Sequence, residues 1–246
     1  MTEPAPVALI TGSARRIGAC IARRLHADGY RVAVHHRGGR EDADALVDGF
    51  NRARADSAIA LQAELAEFDR LPELVARTVG RFGRLDALVN NASAYYATPL
   101  GTVTPAQWDE LFASNARAPF FLAQAAAPHL RESRGAIVNI ADIYAQRPLR
   151  GHSVYCMAKA ALVMATKALA LELGPEVRVN AIAPGNILWS TNEVKAETLA
   201  TVVERTALTR QGAPEDIADA VAFLLAGAGY VTGTMLEVDG GRSLSI

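Results

Sequence analysis

The chain has 246 residues and a formal net charge of −1; half of its residues are apolar and 21% are charged. That balance fits a globular protein with a large core, and it supplies neither a nucleic-acid nor a membrane-surface footprint. Two cysteines, Cys20 and Cys156, are too few for a disulfide scaffold or a zinc site. They read as reduced cytosolic thiols, so a cytoplasmic location is expected. The opening MTEPAPVALITG lacks the basic start of a signal peptide, and no uninterrupted apolar run approaches the roughly 18–20 residues of a membrane span.

In chain order, short apolar runs predict buried strands at Val7–Thr11, Arg31–His35, Ala58–Gln62, Ala87–Asn90, Ala136–Ile140, Arg178–Ile182 and Met235–Val238. Segments of helical spacing lie between them: Gly18–Ala27, Glu41–Arg54, Leu71–Arg81, Pro105–Arg131, Val154–Leu173 and Pro214–Leu225. Strand alternating with helix implies right-handed crossovers and a parallel sheet covered on both faces. With no linker, repeat or low-complexity tract, the expectation is one doubly wound α/β domain spanning 1–246. Strand-to-helix loops of such a sheet emerge at its carboxyl edge, where ligands bind. The motifs fall in those loops or at the start of the helix that follows.

The first loop reads Thr11-Gly12-Ser13-Ala14-Arg15-Arg16-Ile17-Gly18. Gly12 permits a tight turn, Gly18 permits close packing of helix on strand, and the helix start suits a pyrophosphate. Arg16 stands where a third glycine is usual, turning a cation toward phosphate or an anionic substrate. The second strand ends in His35-His36-Arg37, with Arg40 close behind, where an NAD site carries an acid for the ribose hydroxyls. A guanidinium there clamps a 2′-phosphate, so NADP is favoured over NAD; the alternative is solvated loop charge. No cysteine or acidic cluster accompanies the histidines, so no metal site is expected.

Glu64-Leu65 follows the third strand, where the carboxylate is either an adenine contact or a surface acid. Asn90-Asn91-Ala92-Ser93 follows the fourth, and Tyr95-Tyr96 after it either stacks on a planar ligand or covers the loop. Asn115 interrupts a helix; it either holds water or backbone near the site or is a tolerated surface residue. At the end of the stretch Asp142–Lys159, Tyr155 and Lys159 lie one helical turn apart. The ammonium is expected to lower the phenol pKa from about 10 and make Tyr155 a proton donor near neutral pH. After Pro184-Gly185, the residues Asn186-Ile187-Leu188-Trp189 and a polar run to about Thr201 are expected to form a substrate loop over 186–201, with Trp189 as an apolar contact.

The set TGxxxRxG, NNAS, Asn115, YxxxK and Pro184-Gly185, in this order and spacing, resembles the short-chain dehydrogenase/reductase family across essentially the whole chain, implying a Rossmann-type fold. The resemblance implies that Tyr155 donates the proton, Lys159 holds the nicotinamide ribose and lowers the tyrosine pKa, and Asn115 orders a water relay. It also implies an NADP(H) site drawn from Gly12, Arg16, Ile17, Gly18, His36, Arg37, Glu64, Leu65, Asn91, Ala92, Ser93, Tyr155, Lys159, Pro184, Gly185 and Ile187, and a homotetramer.

The family's usual serine about a dozen residues before the tyrosine is replaced by Asp142. An ionised carboxylate has no proton to donate to a substrate carbonyl and repels a developing alkoxide, which argues against plain ketone reduction. TGSARRIG, HHR, NNASAYYATPL, Asp142 and PGNILW together resemble the pteridine reductase and dihydromonapterin/dihydrofolate reductase subgroup. The subgroup implies Arg16, Ser93, Tyr95, Asp142, Tyr155, Leu188 and Trp189 around a pterin, with the ring stacked between Tyr95 and nicotinamide. NADPH-dependent reduction of a dihydropterin or dihydrofolate is the expected activity. The alternatives are an NADP-dependent carbonyl reductase acting on a 3-oxoacyl thioester or small ketone, and a non-catalytic NADP(H)-binding protein.

Overall fold

The computed structural model describes residues 4–187 and 196–245. Seven parallel strands form one sheet in the order β3-β2-β1-β4-β5-β6-β7. They are β1 (Val7–Ile10), β2 (Arg31–His36), β3 (Ala58–Gln62), β4 (Ala87–Asn90), β5 (Ala136–Ile140), β6 (Arg178–Pro184) and β7 (Met235–Val238). The helices are α1 (Arg16–Ala27), α2 (Arg40–Ala53), α3 (Leu71–Phe82), α4 (Pro105–Phe112), α5 (Ala118–Ser133), α6 (Ser153–Leu173), α7 (Ala196–Glu204) and α8 (Pro214–Ala222).

The strands read as continuous apolar runs because both faces are covered, and successive residues feed two cores. Ala8 and Ile10 of β1, with Val32, Val34, Val89 and Val138, pack against α1, α2 and α8. Val7 and Leu9, with Ala33, Leu88, Ile137 and Val179, pack against α3, α5 and α6. Helix α6 has the length and hydropathy of a membrane span, but 56% of that stretch is buried and it serves as a core helix.

Two segments differ from the expectation. The segment Pro105–Arg131 is not one helix: α4 and α5 are separated by a π-helical turn at Ala113–Arg117. Pro119 near the start of α5 has no N–H to give to the fourth carbonyl back, which interrupts the α ladder at this point. The expected polar loop over 186–201 is helical from Ala196 as α7, whose run AETLATVVE has strong helix formers and apolar residues at helical spacing. Leu188 and Trp189 lie outside the described residues.

Candidate active site

The loops after β1 and β4 are locked together. Gly12 has φ +61°, and a Cβ there would lie 2.9 Å from Ala92 Cα. At Gly18 a Cβ would lie 2.3 Å from the Gly12 carbonyl oxygen and 2.6 Å from Asn91 Nδ2. Only glycine fits either place. Asn91 Nδ2 donates to the carbonyls of Thr11 and Gly12, both at 2.9 Å, and Thr11 Oγ1 accepts from the N–H groups of Asn91 and Ala92 at 2.9 and 3.0 Å. Arg16 has φ +52°, a left-handed backbone that glycine adopts without cost. That left-handed conformation costs a residue with a Cβ about 1–2 kcal/mol. Beside it, Ile17 packs on the core.

At the end of β2, His36 is buried and its Nδ1 has no partner among the described residues, whereas Arg37 is exposed. Arg37 Nε lies 4.0 Å from Glu64 Oε2, and Glu64 Oε1 accepts from the Ala66 N–H at 3.2 Å. Arg37 and Glu64 therefore share one corner of the carboxyl edge. Leu65 packs its side chain in the core with Leu61, Leu71 and Leu74, which leaves its backbone at the carboxyl edge. Pro184 ends β6, and Gly185 packs so closely on Asp239 that a Cβ would lie 2.6 Å from Asp239 Cβ. Ile187 points into the core, and its backbone bridges to Gly212.

Asn115 is fully buried in the π turn. Its Nδ2 donates to the Ala94 carbonyl at 2.9 Å and the Leu111 carbonyl at 3.0 Å, and its Oδ1 accepts from Ser93 Oγ at 2.7 Å. It thereby braces the loop that carries Ser93 and Tyr95. Tyr96 turns the other way, donating to Glu110 Oε2 at 2.9 Å.

Asp142 and Tyr155 form the centre. The Tyr155 hydroxyl donates to Asp142 Oδ2 at 2.7 Å, while Asp142 Oδ1 accepts from the Tyr144 N–H at 2.9 Å. Lys159 Nζ donates to the Ile140 carbonyl at 2.8 Å and lies 5.7 Å from the Tyr155 ring centroid. The expectation of a lowered tyrosine pKa is overturned. Burial, then the charge and hydrogen bond of Asp142, hold the Tyr155 phenol well above its ordinary value, and a hydrogen bond from Ser93 opposes them. Burial raises the Asp142 carboxyl, against the hydrogen bonds from Tyr144 and Tyr155 and the charge of Lys159. Burial lowers Lys159 to about 8, opposed by the charge of Asp142. The carboxylate in contact with the phenol outweighs the more distant ammonium.

Tyr95, 55% exposed, meets Tyr155 edge-on at 4.9 Å between ring centroids and stacks on His152 at 4.9 Å with 14° between planes. The motifs missed His152, which lies just before α6 outside the helix. They included Thr11 without giving it a role, and they missed Asn139. Asn139 Oδ1 accepts from Asn90 Nδ2 at 2.8 Å, and its Nδ2 donates to Thr166 Oγ1 at 2.9 Å. A polar residue inside an apolar strand signals such a partner.

These groups place a proton-bearing phenol, a carboxylate and an ammonium beside a glycine cradle at one sheet edge. Comparison with known proteins agrees with that arrangement. A family model described as enoyl-(acyl carrier protein) reductase matches residues 12–243. Pteridine reductase 1 of Leishmania tarentolae is 36% identical, over 99% of each chain. The 3-oxoacyl-(acyl-carrier-protein) reductases of Staphylococcus epidermidis and Staphylococcus aureus are also 36% identical over 95% of this chain, covering 97% and 96% of theirs. The chain belongs to the short-chain dehydrogenase/reductase family and is an NADP(H)-dependent oxidoreductase.

Proposed function

We propose that this protein reduces a C=N bond in the ring of a dihydropterin or dihydrofolate, with oxidised biopterin and folate as further substrates. The 2.7 Å hydrogen bond from Tyr155 to Asp142 carries the reading. A ketone needs a hydrogen-bond donor where Asp142 stands, and a carboxylate only accepts. The amino-pyrimidine edge of a pterin offers N–H donors that a carboxylate can hold, and its ring nitrogen needs a proton. The similarity to pteridine reductase 1 supports the same substrate class.

Gly12 and Gly18 let the loops after β1 and β4 pack together, and a glycine turn that opens a helix suits a dinucleotide pyrophosphate. In this reading Gly12, Arg16, Ile17 and Gly18 hold the pyrophosphate, and His36 and Arg37 take the 2′-phosphate. Glu64 and the Leu65 backbone border the adenine. Asn91, Ala92, Ser93, Pro184, Gly185 and the Ile187 backbone border the ribose and nicotinamide, with Lys159 on the ribose. Bound NADPH supplies a hydride. Tyr155 keeps its proton at neutral pH and aims it along the bond to Asp142, ready for the ring nitrogen. Asp142, a carboxylate whose pKa burial raises, takes up a proton from solvent water and passes it to the phenolate once Tyr155 has given its own. Lys159 stabilises that phenolate by its charge, and Asn115 fixes the loop bearing Ser93 and Tyr95. Arg16, Ser93 and Tyr95 contact the pterin, with Tyr95 stacked on its ring.

The equal identity to 3-oxoacyl-(acyl-carrier-protein) reductases supports the second reading, reduction of a 3-oxoacyl thioester. NADPH oxidation is measured with dihydrobiopterin, dihydromonapterin, dihydrofolate and acetoacetyl-coenzyme A. Turnover of a pterin is expected; fast turnover of the thioester with none of the three pterins overturns the proposal. A homotetramer accompanies it, because Met157, Met164 and Leu171 recur seven residues apart on α6 and are exposed, an apolar stripe that suits a second copy. A single-chain mass by light scattering refutes that assembly.

A further inference from the structure

His35 stands outside the roles given so far, yet it is one of the most buried polar side chains in the fold, 1% exposed. It lies near the end of β2, between β1 and β3. Its Nδ1 accepts from the Gly12 N–H at 3.0 Å, and its Nε2 lies 3.2 Å from the Ala63 carbonyl oxygen. A nitrogen that accepts a backbone N–H carries no proton, so the other nitrogen bears it and donates to Ala63. The imidazole thus ties the loop after β1 to the loop after β3. Main-chain bonds run alongside it, from the Ser13 N–H to the His35 carbonyl at 2.9 Å and from the Ala63 N–H to the His36 carbonyl at 3.2 Å.

The Thr11–Gly12 peptide whose N–H meets His35 is held on its other side, where Asn91 Nδ2 donates to the Thr11 carbonyl at 2.9 Å. The strand order β2-β1-β4 therefore clamps one glycine peptide between a histidine from the left neighbour and an asparagine from the right. Gly12 is the residue at φ +61° on which the cradle turns. We infer that His35 is a positioning residue for cofactor binding: as the Nε2–H tautomer it holds the Gly12 peptide in its left-handed turn and joins the phosphate-side loop to the loop bearing Glu64. Burial lowers the imidazole pKa to about 4, so the neutral ring persists at physiological pH.

An amide side chain offers the same acceptor and donor, whereas a benzyl side chain offers neither and leaves a buried N–H and C=O unpaired. His35→Phe is expected to weaken NADPH binding about tenfold or more, read as Kd from NADPH fluorescence. His35→Gln is expected to stay close to wild type, and kcat at saturating NADPH is expected to change little in either variant. Wild-type affinity in His35→Phe overturns the inference. Should that variant not fold, nitrogen-15 NMR of the ligand-free wild-type protein decides: a protonated Nε2 with a bare Nδ1 supports the clamp, and the reverse tautomer overturns it. Neither readout depends on which substrate is reduced, so the clamp and the pterin reading fail separately.

Discussion

The Tyr155 hydroxyl sits 2.7 Å from Asp142 Oδ2, while Lys159 Nζ is 5.7 Å from the tyrosine ring centroid and engaged with the Ile140 carbonyl. Burial is the largest influence on the phenol in the ligand-free enzyme, and the carboxylate acts in the same direction. Removing the charge while keeping the shape separates these influences. Asp142→Asn is expected to lower the Tyr155 pKa, followed by ultraviolet difference titration. Pterin turnover is expected to fall about 100-fold, the scale of losing a positioned acid–base group, with NADPH affinity unchanged. A Tyr155 titration that does not move in Asp142→Asn contradicts the assignment.

Lys159 gives a pH limb with a defined sign. Its ammonium is present below about 8 and lost above it. Because that charge favours proton loss from Tyr155, kcat/KM is expected to decline as pH rises through about 8. Folding stability runs the other way. The folded value lies below the ordinary 10.5, so the unfolded chain binds more protons between the two values and stability rises with pH across that window. Lys159→Met is accordingly expected to melt at a higher temperature than wild type at pH 7, although inactive. A lower melting temperature refutes the burial penalty.

Arg37 is exposed beside Glu64, with no acid standing in for a ribose-hydroxyl ligand at the end of β2. Arg37→Ala is expected to raise the KM for NADPH about tenfold or more and leave the KM for NADH nearly unchanged, since only the 2′-phosphate differs. Steady-state kinetics with both cofactors checks this. An equal rise for both would show that the guanidinium does not touch the phosphate.

Arg16 combines a cationic side chain with φ +52°. Arg16→Gly relieves the backbone cost and is expected to stabilise the fold by about 1 kcal/mol, seen as a higher denaturant midpoint. The same change is expected to weaken both NADPH and pterin binding. A variant that loses stability would mean that the side chain contributes more to folding than its conformation costs.

Tyr95 presents a ring that is edge-on to Tyr155 and stacked on His152. Tyr95→Phe retains the ring and is expected to keep near-normal pterin kinetics. Tyr95→Ala is expected to raise the pterin KM about tenfold, in line with loss of an aromatic stacking contact worth about 0.5–1.5 kcal/mol plus its buried area. Indifference of KM to both changes would remove Tyr95 from the substrate site.

The strands were legible because burial on both faces leaves little room for polar residues. Every predicted strand is present, and only β1 and β2 shift by one residue at an end while β6 extends two residues to Pro184. Helix α7 was not read, because the polar residues of 186–201 read as a loop despite its helical spacing, and the π turns at Ala113–Arg117 and Phe223–Gly227 were not, because apolar spacing does not report local backbone geometry. Gly12, Arg16, Gly18, Asn91 and Ser93 were readable from TGxxxRxG and NNAS. His35, His152 and Asn139 were not, since their partners lie on other strands or loops.

By itself the sequence determined the doubly wound sheet and the carboxyl edge on which the motifs lie, because periodicity and residue type are local properties; the family resemblance singled out Asp142, Tyr155 and Lys159. Only the tertiary structure decided which of its two charged neighbours controls Tyr155. Spacing along one helix makes Lys159 the evident neighbour, but the loop after β5 brings Asp142 Oδ2 to 2.7 Å from the phenol across a turn that no spacing records. Electrostatic control falls with distance and with solvent, so the carboxylate in contact prevails over the ammonium farther away.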